Sequence, residues 1–108
     1  MKFTTSRSTL LKPIQAVIGV VERRQTMPIL ANVLLVVKGQ ELSVTGTDLE
    51  VELVARVPLD KSDSGGEVTV PGRKLLDICR ALPDDANVQV QLDGDRLVIK
   101  SGRSRFVL

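Results

Sequence analysis

Two groups of basic and polar residues are spaced so that each would share one face of a helix: Lys12, Gln15 and Gly19, with Arg23 and Arg24 just beyond, and Arg73 and Arg80 around Asp77, with Lys74 to one side. Side chains three, four or seven residues apart stand over one another on a helix, so each group becomes a single face if its segment is helical. Lys and Arg on a flat helical face reach phosphate oxygens rather than base edges in a groove. Such contacts would be blind to nucleic-acid sequence. Taken singly, each residue is an ordinary solvated side chain; the doubling of the pattern is what singles the two groups out.

Other chemistry is thinly supplied. Asp48, Glu50 and Glu52 alternate and invite comparison with a site for a hard cation. Same-face neighbours on a strand are about 7 Å apart, which favours a solvated face over a shared ion. Cys79 is the only cysteine and histidine is absent, which excludes disulfide frameworks, Cys/His zinc sites and Ser-His or Cys-His catalysis. Cys79 itself falls on the apolar side of its segment and reads as a core residue. Phe3 and Phe106 are the only aromatics, so the core must be aliphatic and base-stacking platforms for single strands are not expected.

Charge is unevenly spread. Residues 1–40 hold six Lys/Arg against one Glu, residues 41–68 hold seven acids against two bases, and residues 69–108 hold seven bases against five acids, within a net charge of +2. Binding of a polyanion by part of the surface fits this asymmetry. The start, MKFTTSRST, lacks the apolar core of a signal peptide, and no apolar run has the length of a membrane span. A cytoplasmic location is expected.

The elements that must position these residues fit one domain of 108 residues. KFTT is a short strand, and Ser6 is placed to cap a helix whose apolar stripe is Leu10, Ile14, Val17, Ile18 and Val21, with Pro13 inside it. Strands follow in NVLLVVKG, ELSVTG and LEVELVARV, then a polar loop in PLDKSDSGG and a strand in EVTV. RKLLDICRALP is a second helix with inner stripe Leu75, Ile78, Cys79 and Leu82; NVQVQLD, RLVIKSG and SRFVL are the closing strands.

A shift of 55 places Val33 on Val88, Leu35 on Val90, Val37 on Leu92, Gly39 on Gly94, Leu42 on Leu97, Val44 on Ile99, Val51 on Phe106 and Leu53 on Leu108. Each half is therefore β-α-β-β-β, and the expected fold is α+β: two pseudo-symmetric units with two helices side by side on antiparallel sheet. The second unit is expected to lack the end of its last strand, as though the chain were cut. Phe106 and Leu108 would then lie on one face of an unpaired edge that seeks a partner, with Arg103 and Arg105 on the other.

The stretches MKFT, LLKP, PIL with Asn32, VTGTDLEVEL at 44–53, VPGRKLLDICRALP at 70–83 and SGRSRF at 101–106 resemble the N-terminal domain of bacterial DNA polymerase III beta subunits, the sliding-clamp family. The resemblance runs end to end. It implies a non-catalytic processivity factor without a cofactor, built from three such domains per subunit, of which this chain, residues 1–108, would be the first, C-terminally truncated and without the second and third. Two subunits would close head to tail around double-stranded DNA, helices lining the hole. By that likeness Lys12, Gln15, Arg73 and Arg80 face the duplex and Arg24 contacts it from a loop at the ring face. Phe106 and Leu108 pack into the neighbouring subunit of the homodimer, and Lys74, Arg96, Arg103 and Arg105 meet acids there. DNA polymerase III and the clamp loader would bind through the domains absent here, with no membrane contact. A standalone interaction module using the terminal strand, and a metal-dependent nuclease on the acidic strand, are the alternatives.

Overall fold

Ser6 both ends a strand and starts a helix. In the computed structural model, which describes residues 1–24, 32–47 and 52–108 (side chains of 20–24 and 47 excepted), β1 is Lys2–Ser6 and α1 is Arg7–Arg24. The Ser6 Oγ accepts the Thr9 backbone N–H at 3.1 Å and donates its own proton to Thr9 Oγ1 at 2.8 Å, satisfying one of the donors left open at a helix start. Leu10, Ile14, Val17 and Ile18 are buried, as their spacing requires. Pro13 lies inside α1 and is also buried, so the hydrogen bond it forgoes is offset by burial of its ring.

The strands are β2 (Asn32–Lys38), β3 (Glu41–Thr47), β4 (Glu52–Pro58), β5 (Lys61–Ser64), β6 (Gly66–Pro71), β7 (Asn87–Asp93), β8 (Arg96–Ser101) and β9 (Ser104–Val107), with α2 at Gly72–Ala81. Gly39 and Gly94 close the β2-β3 and β7-β8 hairpins at φ 62° and 63°, left-handed values that glycine adopts without a Cβ penalty. The two hairpins share one register: Leu35 opposes Val44 and Val90 opposes Ile99, each pair shifted by the same 55 residues.

Two sheets result, in the orders β5-β1-β7-β8-β9 and β4-β3-β2-β6, antiparallel in every pairing. Each unit lends its first strand to the other. β1 pairs with β7, Thr5 opposite Val88, and β6 pairs with β2, Val70 opposite Val33. The helices obey a longer offset of 65, which sets buried Leu10, Ile14 and Val17 on buried Leu75, Cys79 and Leu82. An aliphatic core therefore joins both sheets and both helices, with Phe3 its only fully buried aromatic.

The expected helices on antiparallel sheet are found, the strands forming two sheets; two other expectations need correction. The stretch read as a polar loop holds a strand: Leu59 is buried, its N–H bonded to the Gln40 carbonyl at 2.8 Å, and β5 then pairs with β1. KSDS has little strand propensity, so the pairing comes from the open edge of β1, which tertiary context supplies. In α2 it is Leu76 that is buried with Leu75 and Cys79, while Ile78 is only partly covered, because α2 packs against α1 as well as β2 and β6 and buries a wider arc. The positions Asp48, Leu49, Glu50 and Val51 lie outside the described residues; Glu52 is exposed and Leu53 half-buried.

Thr5 Oγ1 is buried without a hydrogen-bond partner among the described residues. Thr5→Val keeps the shape and removes the unsatisfied hydroxyl, so chemical denaturation is expected to show a gain of about 1 kcal/mol. A loss of stability would mean that the hydroxyl is bonded.

Candidate nucleic-acid interface

Away from its buried stripe, α1 presents Lys12 and Gln15, both exposed, with Gly19 partly covered; α2 presents Arg73, Asp77 and Arg80, all exposed. At about 100° per residue, each set falls within an arc of about 60°. The helices pack against each other and their apolar stripes face the sheets, so both exposed faces lie on the side of the domain away from the sheets. Lys12, Gln15, Arg73 and Arg80 are thus placed on one helical layer. Within it, Arg73 Nε stands 3.4 Å from Asp77 Oδ1, one helical turn away.

Arg24 is the last residue of α1, and its side chain lies outside the described residues. Arg23 and Arg24 were expected past the helix end, Arg24 on a loop; the helix runs through both, since no Gly or Pro interrupts residues 20–24.

Sequence reasoning missed Arg7. Its Nε donates to the Cys79 carbonyl at 2.8 Å and its Nη1 pairs with Asp84 Oδ1 at 3.0 Å, while its backbone N–H bonds the Ala86 carbonyl at 2.9 Å. The guanidinium thereby joins the start of α1 to the end of α2, where the helix dipole favours a cation. No local pattern marks a contact between residues 72 apart in the chain.

The second group of expected site residues sits elsewhere. β9 is an edge of its sheet. Leu108 and Leu97 exchange both backbone bonds, at 2.9 and 3.2 Å, so in the alternation of an antiparallel ladder Phe106 bonds inward as well. The N–H and C=O groups of Arg105 and Val107 consequently point to the open edge. Phe106 and Leu108 are half-buried against the domain's own core, whereas Lys74, Arg96, Arg103 and Arg105 are exposed. Val107, 44% exposed, is the one large hydrophobic side chain in the open among the described residues, and the sequence reading passed over it. Those residues contain no cluster of three or more His, Cys, Asp or Glu able to hold a metal ion.

A duplicated unit with exchanged first strands, two paired helices on one side and two sheets on the other defines a DNA-clamp type of domain. The Pseudomonas aeruginosa DNA polymerase III beta subunit superposes with a TM-score of 0.89 at 56% identity, over 99% of this chain and 29% of that one. The Caulobacter crescentus subunit gives 0.86 at 46%, over 100% of this chain and 30% of that one. Residues 1–108 match the family "DNA polymerase III beta subunit, N-terminal domain", and the chain belongs to it. It is 62% identical to the beta sliding clamp of Pseudomonas putida and 56% to that of Escherichia coli, in each case over all of this chain and 29% and 30% of the relative. The chain thus spans somewhat less than a third of the length of these relatives.

Cys79 lies in the core, on the buried side of α2. Burial pushes its thiol up to about 11 from 9.0, the Arg7 cation opposing by less. A thiol that ionises more readily unfolded than folded contributes its full stability below pH 9 and loses it as pH rises through 11. Unfolding free energy is expected to fall by about 2–3 kcal/mol across that window. Cys79→Ala should flatten that part of the pH dependence, whatever its own cost in stability, as followed by urea denaturation at each pH.

Proposed function

We propose that this chain is the first domain of a sliding clamp, a processivity factor that encircles duplex DNA and tethers a replicative polymerase without catalysing a reaction itself. The observation that carries the reading is the pair of duplication-related helices whose exposed faces, with Lys12, Gln15, Arg73 and Arg80, share one side of a domain that belongs to the clamp family. Contacts from such a face are made to phosphates, vary little along the duplex and permit sliding, while a closed ring prevents escape. Arg24 belongs to the same DNA-contacting set.

The ring requires partners. A subunit of three domains, of which this is the first, would close with a second subunit in a homodimer. The open β9 edge supports this, with Arg105 and Val107 backbone groups turned to its outer side, Phe106 and Leu108 beside them, and Lys74, Arg96 and Arg103 exposed where acids on a neighbour could meet them. DNA polymerase III and the clamp loader would engage the other domains. Among the described residues no helix is long and apolar enough to cross a membrane, and a cytoplasmic site of action fits a replication factor. The same open edge favours a second reading, a standalone module that pairs strands with other proteins. Adding the second and third domains discriminates: a clamp fragment recovers a ring.

Binding of this chain to random-sequence duplexes is expected to be weak, with log affinity falling against log salt at a slope of about −4 to −5 for roughly five phosphates neutralised. Arg80→Ala should make the slope shallower by about 1 and weaken all sequences alike, as read by fluorescence anisotropy. Unequal affinity for different duplex sequences would count against the proposal.

The isolated chain is also expected to self-associate through β9. Val107→Pro removes an edge N–H without touching the ladder to β8, and Phe106→Ala removes apolar area; sedimentation velocity should show each shifting the chain toward monomer. Association unaltered by both would place the contact elsewhere.

A further inference from the structure

We infer that Asp77 sets the phosphate affinity of the α2 face, holding Arg73 partly engaged so that the face binds DNA loosely; the inference rests on the duplex-facing role proposed above. Asp77 stands between the two cations of that face, four residues after Arg73 and three before Arg80, with 59% of its side chain exposed. Its carboxylate is 3.4 Å from Arg73 Nε. A phosphate approaching Arg73 must therefore compete with an anion already in place, and the face carries two positive charges against one negative.

Stability is a poor reason for an acid at this position. Asp is a weak helix former, and it lies beyond the first turn of α2, where the dipole no longer favours a carboxylate. A basic residue preceding the acid by four is also the less favourable order for such a pair. Nor does the fold demand an acid. The helical offset of 65 puts Asp77 on Lys12, which is exposed in α1, and residues 7–21 contain no acid at all. The same place in two related helices takes opposite charges, and the α2 choice lowers the pull on phosphate where two arginines would otherwise hold it. For a protein that must move along DNA, a guanidinium that can pass between a carboxylate and successive phosphates loses less at each transfer than one with no alternative partner.

The test measures binding of a random-sequence duplex by this chain at 50 and 200 mM salt, using fluorescence anisotropy. Asp77→Asn is expected to bind more tightly than the parent, with a slope steeper by about 0.9, so that its advantage is about 3–4-fold larger at 50 mM than at 200 mM. Asp77→Ala should behave similarly, Asp77→Glu should keep the parent's slope, and Arg73→Ala combined with Asp77→Asn should lose the gain in slope. A structural role alone would shift the melting temperature of Asp77→Asn and leave the salt slope unchanged. If Arg80→Ala weakens binding while Asp77→Asn and Asp77→Ala do not strengthen it, the inference fails and the duplex-facing reading stands. If neither Arg73→Ala nor Arg80→Ala alters duplex binding, that reading falls and the inference with it.

Discussion

The exchange of first strands between the two halves is the constraint on which the rest of the domain depends. β1 lies in the sheet of the second half and β6 in the sheet of the first, so neither half can complete its sheet alone. Each helix follows directly on its exchanged strand, α1 after Ser6 and α2 after Pro71. Leaving β1 in one sheet, α1 packs on β3 and β4 of the other and against α2. Both helices are thereby brought into one layer, and the Arg7 contacts to Cys79 and Asp84 fasten that layer where α1 begins and α2 ends.

This arrangement separates the work of the two sides of each helix. Aliphatic side chains at one offset fill the core, and the opposite faces are left to solvent and to charge. Because the core side is satisfied by Leu10, Ile14 and Val17 and their counterparts Leu75, Cys79 and Leu82, the outer positions are free to differ: Lys12 stands where α2 has Asp77, and Gln15 where it has Arg80. Contacts made by such exposed charges are individually modest and screened by solvent, and under the proposed function that would let the face hold a polyanion without fixing its register.

The ends of the sheets are treated unequally. β5 covers the edge of β1, with Leu59 anchoring the crossing from one sheet to the other, whereas β9 leaves its outer backbone groups open and Val107 exposed. An edge of this kind, flanked by Arg103 and Arg105, is suited to a partner strand whose acids complement it. The open edge and the helical layer thus occupy different surfaces of one small domain.

Much of the architecture was legible from residue order. Alternation marked β2, β3, β7 and β8, the apolar spacing marked both helices, Ser6 announced the first of them, and the 55-residue shift revealed the duplication, because these signals are local or repeat at fixed distance. The candidate residues Lys12, Gln15, Arg73 and Arg80 were legible as helical faces for the same reason. β5 was not, since KSDS becomes a strand only against β1; the exchange of β1 and β6, the role of Arg7 and the exposure of Val107 were not, since each is settled by partners distant in the chain. Sequence by itself determined which side chains alternate, cap and face inward, because backbone geometry fixes those periods within a few residues. Tertiary structure alone decided which edges are covered and which charges meet, because pairing energies between remote strands and helices exist only once the chain has closed on itself.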